Sequence, residues 1–236
     1  MWKKLSQKLP NNTPYIAFAG LKNSGKDTAA EMLCYCLNTP KFMHNYYMYK
    51  TFKWVKGKYK IVAFAKPMKE MLAILLNVPV NKFEDRKFKD STYIYFPELR
   101  IEKNPPYEQV LSQNVFNRLL VSKDYTFLKC MYISIRQLMQ CFATDIMRSV
   151  FGDKLWILST LKRNNLIISD LRFKVELDEI HKQNGKIIYI KRDSCVSDNH
   201  ASEQEVLTLY ANNEFDYVIE NNKSLKDLFK SVTELI

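Results

Sequence analysis

The stretch YIAFAGLKNSGKDTAAEML, residues 15–33, decides the fold class of this chain. It opens with five apolar residues, continues through a polar loop containing two glycines, and closes with apolar residues at helical spacing. The pattern predicts a buried strand over residues 15–19, a tight loop, and an amphipathic helix over residues 26–37.

The loop itself satisfies the spacing G-x-x-x-x-G-K from Gly20 to Lys26. A phosphate chain needs many backbone N–H donors, and glycines allow the close approach and the unusual dihedral angles. The following helix N-terminus favours an anion, and the lysine can reach the outer phosphates. We therefore predict a nucleotide phosphate loop; the alternative is a glycine-containing turn with a surface lysine. The residues predicted to line it are Gly20, Lys22, Asn23, Ser24, Gly25, Lys26, Asp27 and Thr28.

The residue after the loop lysine departs from the usual pattern. A Ser or Thr hydroxyl at that position ligates Mg²⁺ in standard loops, whereas this chain has Asp27 followed by Thr28. We predict that the Asp27 carboxylate contacts the metal, directly or through water, with Thr28 beside it. The alternative is that Asp27 only stabilises the start of the helix.

Composition narrows the class of protein. The 236 residues are 47% apolar and carry a net charge of +11, with acidic and basic residues interspersed. No apolar run reaches the roughly 18 residues needed to span a bilayer, and the first residues lack a signal-peptide core. The five cysteines form no C-x-x-C pair, so we expect a reduced, cytoplasmic setting. The positive charge suits nucleotides or nucleic acid.

Strands alternate with helices along the chain. Further strands are predicted at residues 60–65, 165–170, 186–192 and 215–221, with helices following them. Residues 134–151 and 153–163 have helical spacing, Ser224 is a candidate N-cap, and residues 78–130 give no clear pattern. Together with the first strand, this alternation predicts an α/β fold with a doubly wound, five-stranded parallel sheet.

Several short segments, in order, resemble the phage-type deoxynucleoside monophosphate kinases. They are GLKNSGKDT, AFAKPMKEML, RQLMQCFATDIM, IISDLRFKVE and NHASE, whereas residues 38–58 and 80–130 match poorly. The resemblance implies a single P-loop kinase domain over residues 1–236, with a helical acceptor-binding insertion over about residues 66–150 and a mobile lid. It implies transfer of the ATP γ-phosphoryl group, with Mg²⁺, to a nucleoside monophosphate, and the use of deoxynucleotides.

Phosphoryl transfer depends mostly on positioning and on charge neutralisation, so cations and a metal-binding carboxylate are expected. Lys26 is predicted to bind the donor phosphates. Asp170 ends a strand at the carboxyl edge of the sheet, where it could hold Mg²⁺ or orient the acceptor. Arg172 is predicted to clamp a phosphate. The alternatives are a helix-capping carboxylate for Asp170 and a surface ion pair for Arg172.

The acceptor-binding candidates lie mainly on the segment RQLMQCFATDIMR. Arg136 and Gln140 are four residues apart and therefore share a helix face, which suits a phosphate and a base edge. Arg136 is also a catalytic candidate, and the alternative for this helix is a solvated polar stripe. The remaining acceptor candidates are Lys66, Thr144, Asp145 and Arg148.

Four residues near the C-terminal strands complete the predicted site. Arg192 and Asn221 follow strands and are expected near the donor nucleotide, and His200 and Glu203 are expected to order the acceptor side or the lid.

Other functions remain open at this stage. The acceptor could be phosphomevalonate or dephospho-coenzyme A, since those kinases have a similar loop, or the chain could be a non-catalytic nucleotide-binding protein. The aromatic and basic residues 41–60 suit either a packed insertion or single-stranded nucleic acid, and we expect the former. A viral source and a homodimer are open as well.

Overall fold

The computed structural model of the protein describes residues 8–52, 55–197 and 201–236. Within these residues the strands are β1 Tyr15–Ala19, β2 Lys60–Val62, β3 Tyr93–Tyr95, β4 Arg100–Glu102, β5 Tyr132–Ser134, β6 Leu166–Leu171, β7 Lys186–Lys191 and β8 Tyr217–Glu220. The α-helices of the same residues are α1 Lys26–Asn38, α2 Tyr46–Phe52, α3 Lys66–Leu76, α4 Arg86–Ser91, α5 Gln113–Val121, α6 Ile135–Gln140, α7 Met147–Phe151, α8 Leu155–Thr160, α9 Lys174–Lys182, α10 Ala201–Ala211 and α11 Leu225–Thr233. No helix within the described ranges is long and apolar enough to cross a membrane.

The chain divides into two compact units. The first, the sheet unit, comprises the residues up to Phe64 together with Ile157–Ile236. The second, the inserted unit, comprises Ala65–Trp156 and enters the chain between β2 and β6.

The sheet unit is built on a five-stranded sheet in the order β2-β6-β1-β7-β8. Every neighbouring pair is parallel, which confirms the predicted five-stranded parallel sheet. The central strand β1 is flanked by β6 and β7. Strands β2 and β6 lie on one side of β1, and strands β7 and β8 lie on the other. The carboxyl end of β1 is therefore a topological switch point, where open α/β sheets bind their ligands.

Helices α1 and α11 pack on each other and bury an aromatic cluster with α2. The ring of Tyr49 lies 5.4 Å from that of Phe229, and the ring of Tyr46 lies 6.1 Å from it. Tyr49 is 6% exposed, so this part of the aromatic and basic stretch contributes to the core, as a packed insertion does. Phe42 and Tyr47 remain exposed.

The inserted unit contains a small antiparallel sheet in the order β4-β3-β5. Ile94 of β3 and Ile133 of β5 face each other and are fully buried, together with Phe83 and Phe116. These strands have three residues each, which is too short for an alternating pattern to stand out in the sequence. The sequence therefore gave no clear prediction for most of this unit.

Three predicted elements are shorter or more broken than expected. The second strand ends at Val62 and not at residue 65, because the Phe64 N–H donates to the Asp170 carboxylate at 2.7 Å instead of to a neighbouring strand. The helix predicted over residues 134–151 consists of α6, the π-helical segment Cys141–Ile146, and α7. The helix predicted over residues 153–163 spans only Leu155–Thr160.

Candidate functional site

The loop between β1 and α1 has the backbone that a phosphate-binding loop requires. Gly20, Asn23 and Gly25 all have positive φ, at 150°, 67° and 94°. Asn tolerates the left-handed region better than most residues, so Asn23 can occupy it without glycine. The loop ends at the N-terminus of α1, where backbone N–H groups and the helix dipole favour an anion.

Close packing also explains the two loop glycines. A Cβ on Gly20 would lie 2.7 Å from the carbonyl oxygen of Ile190 in β7. A Cβ on Gly25 would lie 2.4 Å from the side-chain nitrogen of Asn221. Both positions are therefore restricted to glycine by neighbouring atoms as well as by φ.

Two polar side chains of the loop are buried. Lys26 is 7% exposed, and its ammonium lies 3.5 Å from the Leu21 carbonyl oxygen. Burial lowers the pKa of Lys26; Asp27 opposes this effect, and Arg172 adds to it. The Ser24 hydroxyl is buried and has no hydrogen-bond partner among the described residues. A buried cation beside an unbonded hydroxyl suits a bound anion.

The first turn of α1 presents Asp27 and Thr28. Asp27 is exposed, and within the described ranges its carboxylate makes no hydrogen bond. No cluster of three or more His, Cys, Asp or Glu side chains that could hold a metal occurs in the described part of the chain. Mg²⁺ is usually held by one or two carboxylates together with substrate phosphates. Asp27 and Asp170 both act electrostatically on Lys26, so two carboxylates lie near the loop lysine.

Asp170 and Arg172 lie at the carboxyl end of β6. Asp170 is half-buried and accepts the Phe64 N–H, whereas the start of α9 is capped by Glu176, which accepts the N–H groups of Arg172 and Phe173. Glu176 thus takes the two N–H groups that lead into α9. Both Asp170 and Arg172 act electrostatically on Lys26, which places them in the same cluster.

Asn221 and Arg192 contact the loop backbone directly. The buried Asn221 amide donates to the Ser24 carbonyl oxygen at 2.7 Å, and the Arg192 guanidinium donates to the Asn23 carbonyl oxygen at 3.3 Å. Beside them is a cleft of about 300 Å³ lined by Lys22, Asn23, Arg192, Ser194, Cys195 and Val196. Asn221 therefore supports the loop, and Arg192 is the exposed cation beside it.

Two site residues, His200 and Glu203, were predicted from the segment NHASE, and the structure describes only the second. His200 lies outside the described residues. Glu203 is 5% exposed, and its carboxylate accepts the Lys22 N–H of the loop at 3.0 Å. The neighbouring Ser202 accepts a hydrogen bond from Arg172 at 3.0 Å and was not singled out from the sequence. The sequence pointed to Ser202 only through its position in the segment NHASE.

The predicted acceptor residues lie in the inserted unit. Arg136 and Gln140 share α6, and the Arg136 guanidinium pairs with Asp90. Lys66 pairs with Glu70 at 3.8 Å, one turn along α3. Arg148 is half-buried on α7.

Thr144 and Asp145 belong to the π-helical segment, and their side chains lie outside the described part. A π turn is wider than an α-helical turn. Single π turns are frequent at functional sites.

Parallel strands, a glycine loop at the switch point and a buried lysine at the start of α1 together define a P-loop protein. A family model described as deoxynucleotide monophosphate kinase matches residues 93–232, more than half of the chain. The chain belongs to this family. Because the match begins after the phosphate loop, the loop geometry is an independent indication of the same class.

The known proteins that are similar to the chain include a viral relative and a solved structure. A protein of Acanthamoeba polyphaga mimivirus, named for deoxynucleotide monophosphate kinase activity, is 26% identical over 119 residues. The matched part covers 43% of this chain and 60% of the viral protein. The dephospho-CoA kinase structure from Campylobacter jejuni aligns with 13% identity and a TM-score of 0.38, covering 94% of each chain.

Proposed function

We propose that this protein is a kinase that transfers the γ-phosphoryl group of ATP to a deoxynucleoside monophosphate. The observation that carries the proposal is the phosphate loop with its buried lysine, in a chain of the deoxynucleotide monophosphate kinase family. In the reaction, the bond between the γ-phosphorus and the bridging oxygen breaks. A new bond forms to an oxygen of the acceptor phosphate, and ADP and the nucleoside diphosphate leave.

In this proposal the sheet unit binds the donor. The loop N–H groups and Lys26 hold the ATP phosphates, with the Ser24 hydroxyl as a further partner. Arg192 and the cleft beside the loop suit the remainder of the nucleotide, since they are polar and open to solvent. Asn221 keeps the loop in place through Ser24.

Mg²⁺ would be held by Asp27 and Asp170, with Thr28 beside them, together with the phosphates. The ion supplies neutralisation of the charge on the transferred group. Arg172 acts as a second fixed positive charge near Lys26 and binds phosphate oxygens.

For the acceptor we retain the candidates of the inserted unit. They supply a phosphate-binding guanidinium and an amide for the base edge, and they are Lys66, Arg136, Gln140, Thr144, Asp145 and Arg148. His200 stays a prediction. The cytoplasmic setting, the homodimer and the division into a core with an acceptor-binding insertion and a lid are also proposals.

The experiment that tests the function is a coupled ADP-release assay with Mg²⁺, ATP and a panel of ribo- and deoxynucleoside monophosphates. We expect turnover with one or a few deoxynucleotides. Lys26→Ala should lower kcat on the order of 10²–10³-fold, because a fixed charge donor to the transition state is lost. Lys182→Ala is the matched control, since Lys182 is an exposed lysine at the far end of α9.

If ATP binds but no nucleoside monophosphate of the panel is phosphorylated, the proposed acceptor is refuted. Phosphomevalonate and dephospho-coenzyme A would be assayed next. Binding of ATP without turnover on any of them would show a non-catalytic nucleotide-binding protein.

A further inference from the structure

The first turn of α10 makes two hydrogen bonds to the segments that carry the candidate site, and a third follows from the next turn. The Ser202 hydroxyl accepts from the Arg172 guanidinium at 3.0 Å. The Glu203 carboxylate accepts from the Lys22 N–H in the phosphate loop at 3.0 Å. One turn along, the Glu205 carboxylate accepts from the Lys174 N–H, at the start of α9, at 2.6 Å.

This turn is held firmly on the sheet unit. Val206 and Leu209 of α10 are buried, and the ring of Tyr210 lies 4.5 Å from that of Tyr189 in β7. Ser202 is 2% exposed and Glu203 is 5% exposed, so water cannot readily replace their partners. Breaking either hydrogen bond would remove a partner from a buried polar group, which is costly.

The hydrogen-bond acceptors of α10, a hydroxyl and a carboxylate, each suit the donor that they contact. A serine hydroxyl takes one of the five N–H donors of the Arg172 guanidinium without neutralising its charge, as a carboxylate would do. The positive charge therefore remains available to phosphate. A carboxylate that accepts a backbone N–H fixes the loop conformation at Lys22, and its charge favours the protonated form of Lys26 nearby.

We propose that the first turn of α10 is a positioning element that fixes the phosphate loop through Glu203 and the Arg172 guanidinium through Ser202. Neither residue needs to touch a substrate. In this proposal Glu203 serves the donor loop, whereas the sequence led us to expect that it orders the acceptor side or the lid. The inference rests on the proposed function, because it assigns Arg172 to phosphate binding during transfer.

The Ser202 part is tested by a double-mutant cycle with Arg172. Ser202→Ala should lower kcat about 10-fold, the effect of one lost hydrogen bond to a charged group, with little change in the KM for ATP. Ser202→Thr, which keeps the hydroxyl, should restore most of the rate. In the Arg172→Ala background, Ser202→Ala should cause no further loss of kcat, because the proposed role of Ser202 is to position that guanidinium.

Two results would overturn the Ser202 assignment. One is a kcat for Ser202→Ala equal to that of the wild type. The other is a loss that multiplies with the loss from Arg172→Ala, since independent effects indicate a role other than positioning Arg172.

The Glu203 part is tested by the dissociation constant of ATP, measured by calorimetry and without an acceptor. Glu203→Ala should weaken ATP binding on the order of 10-fold, whereas Glu203→Gln keeps an acceptor oxygen and should stay much nearer to the wild type. Thr208→Ala is the control on the same helix, because its exposed hydroxyl bonds only to the Gln204 carbonyl. Circular dichroism checks that each variant is folded.

Wild-type affinity in a folded Glu203→Ala variant, or equal weakening by Gln and Ala, would refute the Glu203 assignment. Failure of the proposed function has a different signature, which is a wild type that turns over no acceptor. In that case the ATP affinities of the Glu203 variants still test the positioning role, because they are measured without an acceptor.

Discussion

At the scale of single residues, the second loop glycine combines two constraints. Gly25 has a φ of 94°, and the Asn221 amide that holds the Ser24 carbonyl sits where a Cβ would be. The loop is thus fixed by a side chain from the far end of the chain. A residue with a Cβ at position 25 must displace that support.

We predict that Gly25→Ala weakens ATP binding at least about 10-fold, because positive φ costs on the order of 1–3 kcal/mol and the Asn221 hydrogen bond is lost as well. Calorimetric titration with ATP measures the change. Gly152→Ala is the matched control: Gly152 has a φ of 89°, but a Cβ there would meet nothing within 4 Å. ATP binding equal to the wild type in Gly25→Ala would contradict the packing argument.

The unusual residue of the loop, Asp27, gives a second prediction at this scale. Asp27→Ala should raise the Mg²⁺ concentration needed for half-maximal velocity roughly 10- to 100-fold, as loss of an outer metal contact does. Asp27→Ser, which restores the usual hydroxyl, should recover part of the metal dependence. A magnesium titration of the kinase rate distinguishes these cases. An unchanged half-saturation in the alanine variant would leave Asp27 as a residue that only favours the helix start.

At the scale of elements, the closing helix α11 shows a sequence signal that the structure confirms. Ser224 is its N-cap, and Asp227 completes a capping box, with the serine hydroxyl accepting the Asp227 N–H at 3.3 Å. The helix buries Leu228, Phe229 and Val232 against the sheet unit. The cap therefore stabilises an element that belongs to the core.

We predict that Ser224→Ala lowers the free energy of unfolding by about 1 kcal/mol, the usual contribution of an N-cap. Urea denaturation followed by circular dichroism measures it. Ser224→Thr keeps a hydroxyl that accepts the Asp227 N–H and donates to the Asp227 carboxylate, and it should be close to the wild type. If the threonine variant loses as much stability as the alanine variant, the hydroxyl has a role other than capping.

The π-helical segment is an element that no local pattern predicted. The spacing of residues 134–151 indicated one continuous helix, but the wider turn at Cys141–Ile146 frees the Ala143 carbonyl to accept the Trp156 indole N–H at 2.9 Å. Such a turn depends on a partner that is distant from the segment. It therefore follows from packing in the inserted unit and not from helical propensity.

At the scale of the whole molecule, an acidic residue links three elements at the edge of the sheet opposite the site. Asp216, just before β8, accepts hydrogen bonds from His181 and Lys186, each at 2.8 Å, and from the Ile187 N–H at 2.9 Å. Burial raises the pKa of this carboxyl, but these three donors outweigh it, so the pKa is lowered overall.

This network predicts how the free energy of unfolding depends on pH. The pKa of Asp216 is lower in the folded protein than in the unfolded chain. Its contribution to the free energy of unfolding is therefore present above about pH 4 and is lost as the pH falls through the pKa of the folded state. Asp216→Asn should lower the free energy of unfolding by about 1.5–3 kcal/mol near neutral pH, and the deficit should shrink below about pH 4.

Urea denaturation at a series of pH values tests the acid prediction. Asp153→Asn is the control, because Asp153 is an exposed carboxylate in the inserted unit. A deficit for Asp216→Asn that is constant from neutral to acid pH would show that the carboxylate charge is not the cause.

The sequence by itself determined the loop, its lysine and the cap at Ser224, because each depends on contacts within a few residues of chain. The alternation of strands and helices indicated the parallel sheet in the same way, without showing which strands pair. Only the tertiary structure decided what surrounds the loop. Asn221 contacts Ser24 across 197 residues of chain, Glu203 contacts Lys22 across 181, and Ser202 contacts Arg172 across 30. Pairings of this kind leave no local periodicity in the sequence. The strands of the inserted unit have three residues each and are too short to show an alternating pattern. The π turn was not predicted because it depends on packing within that unit and not on a local pattern.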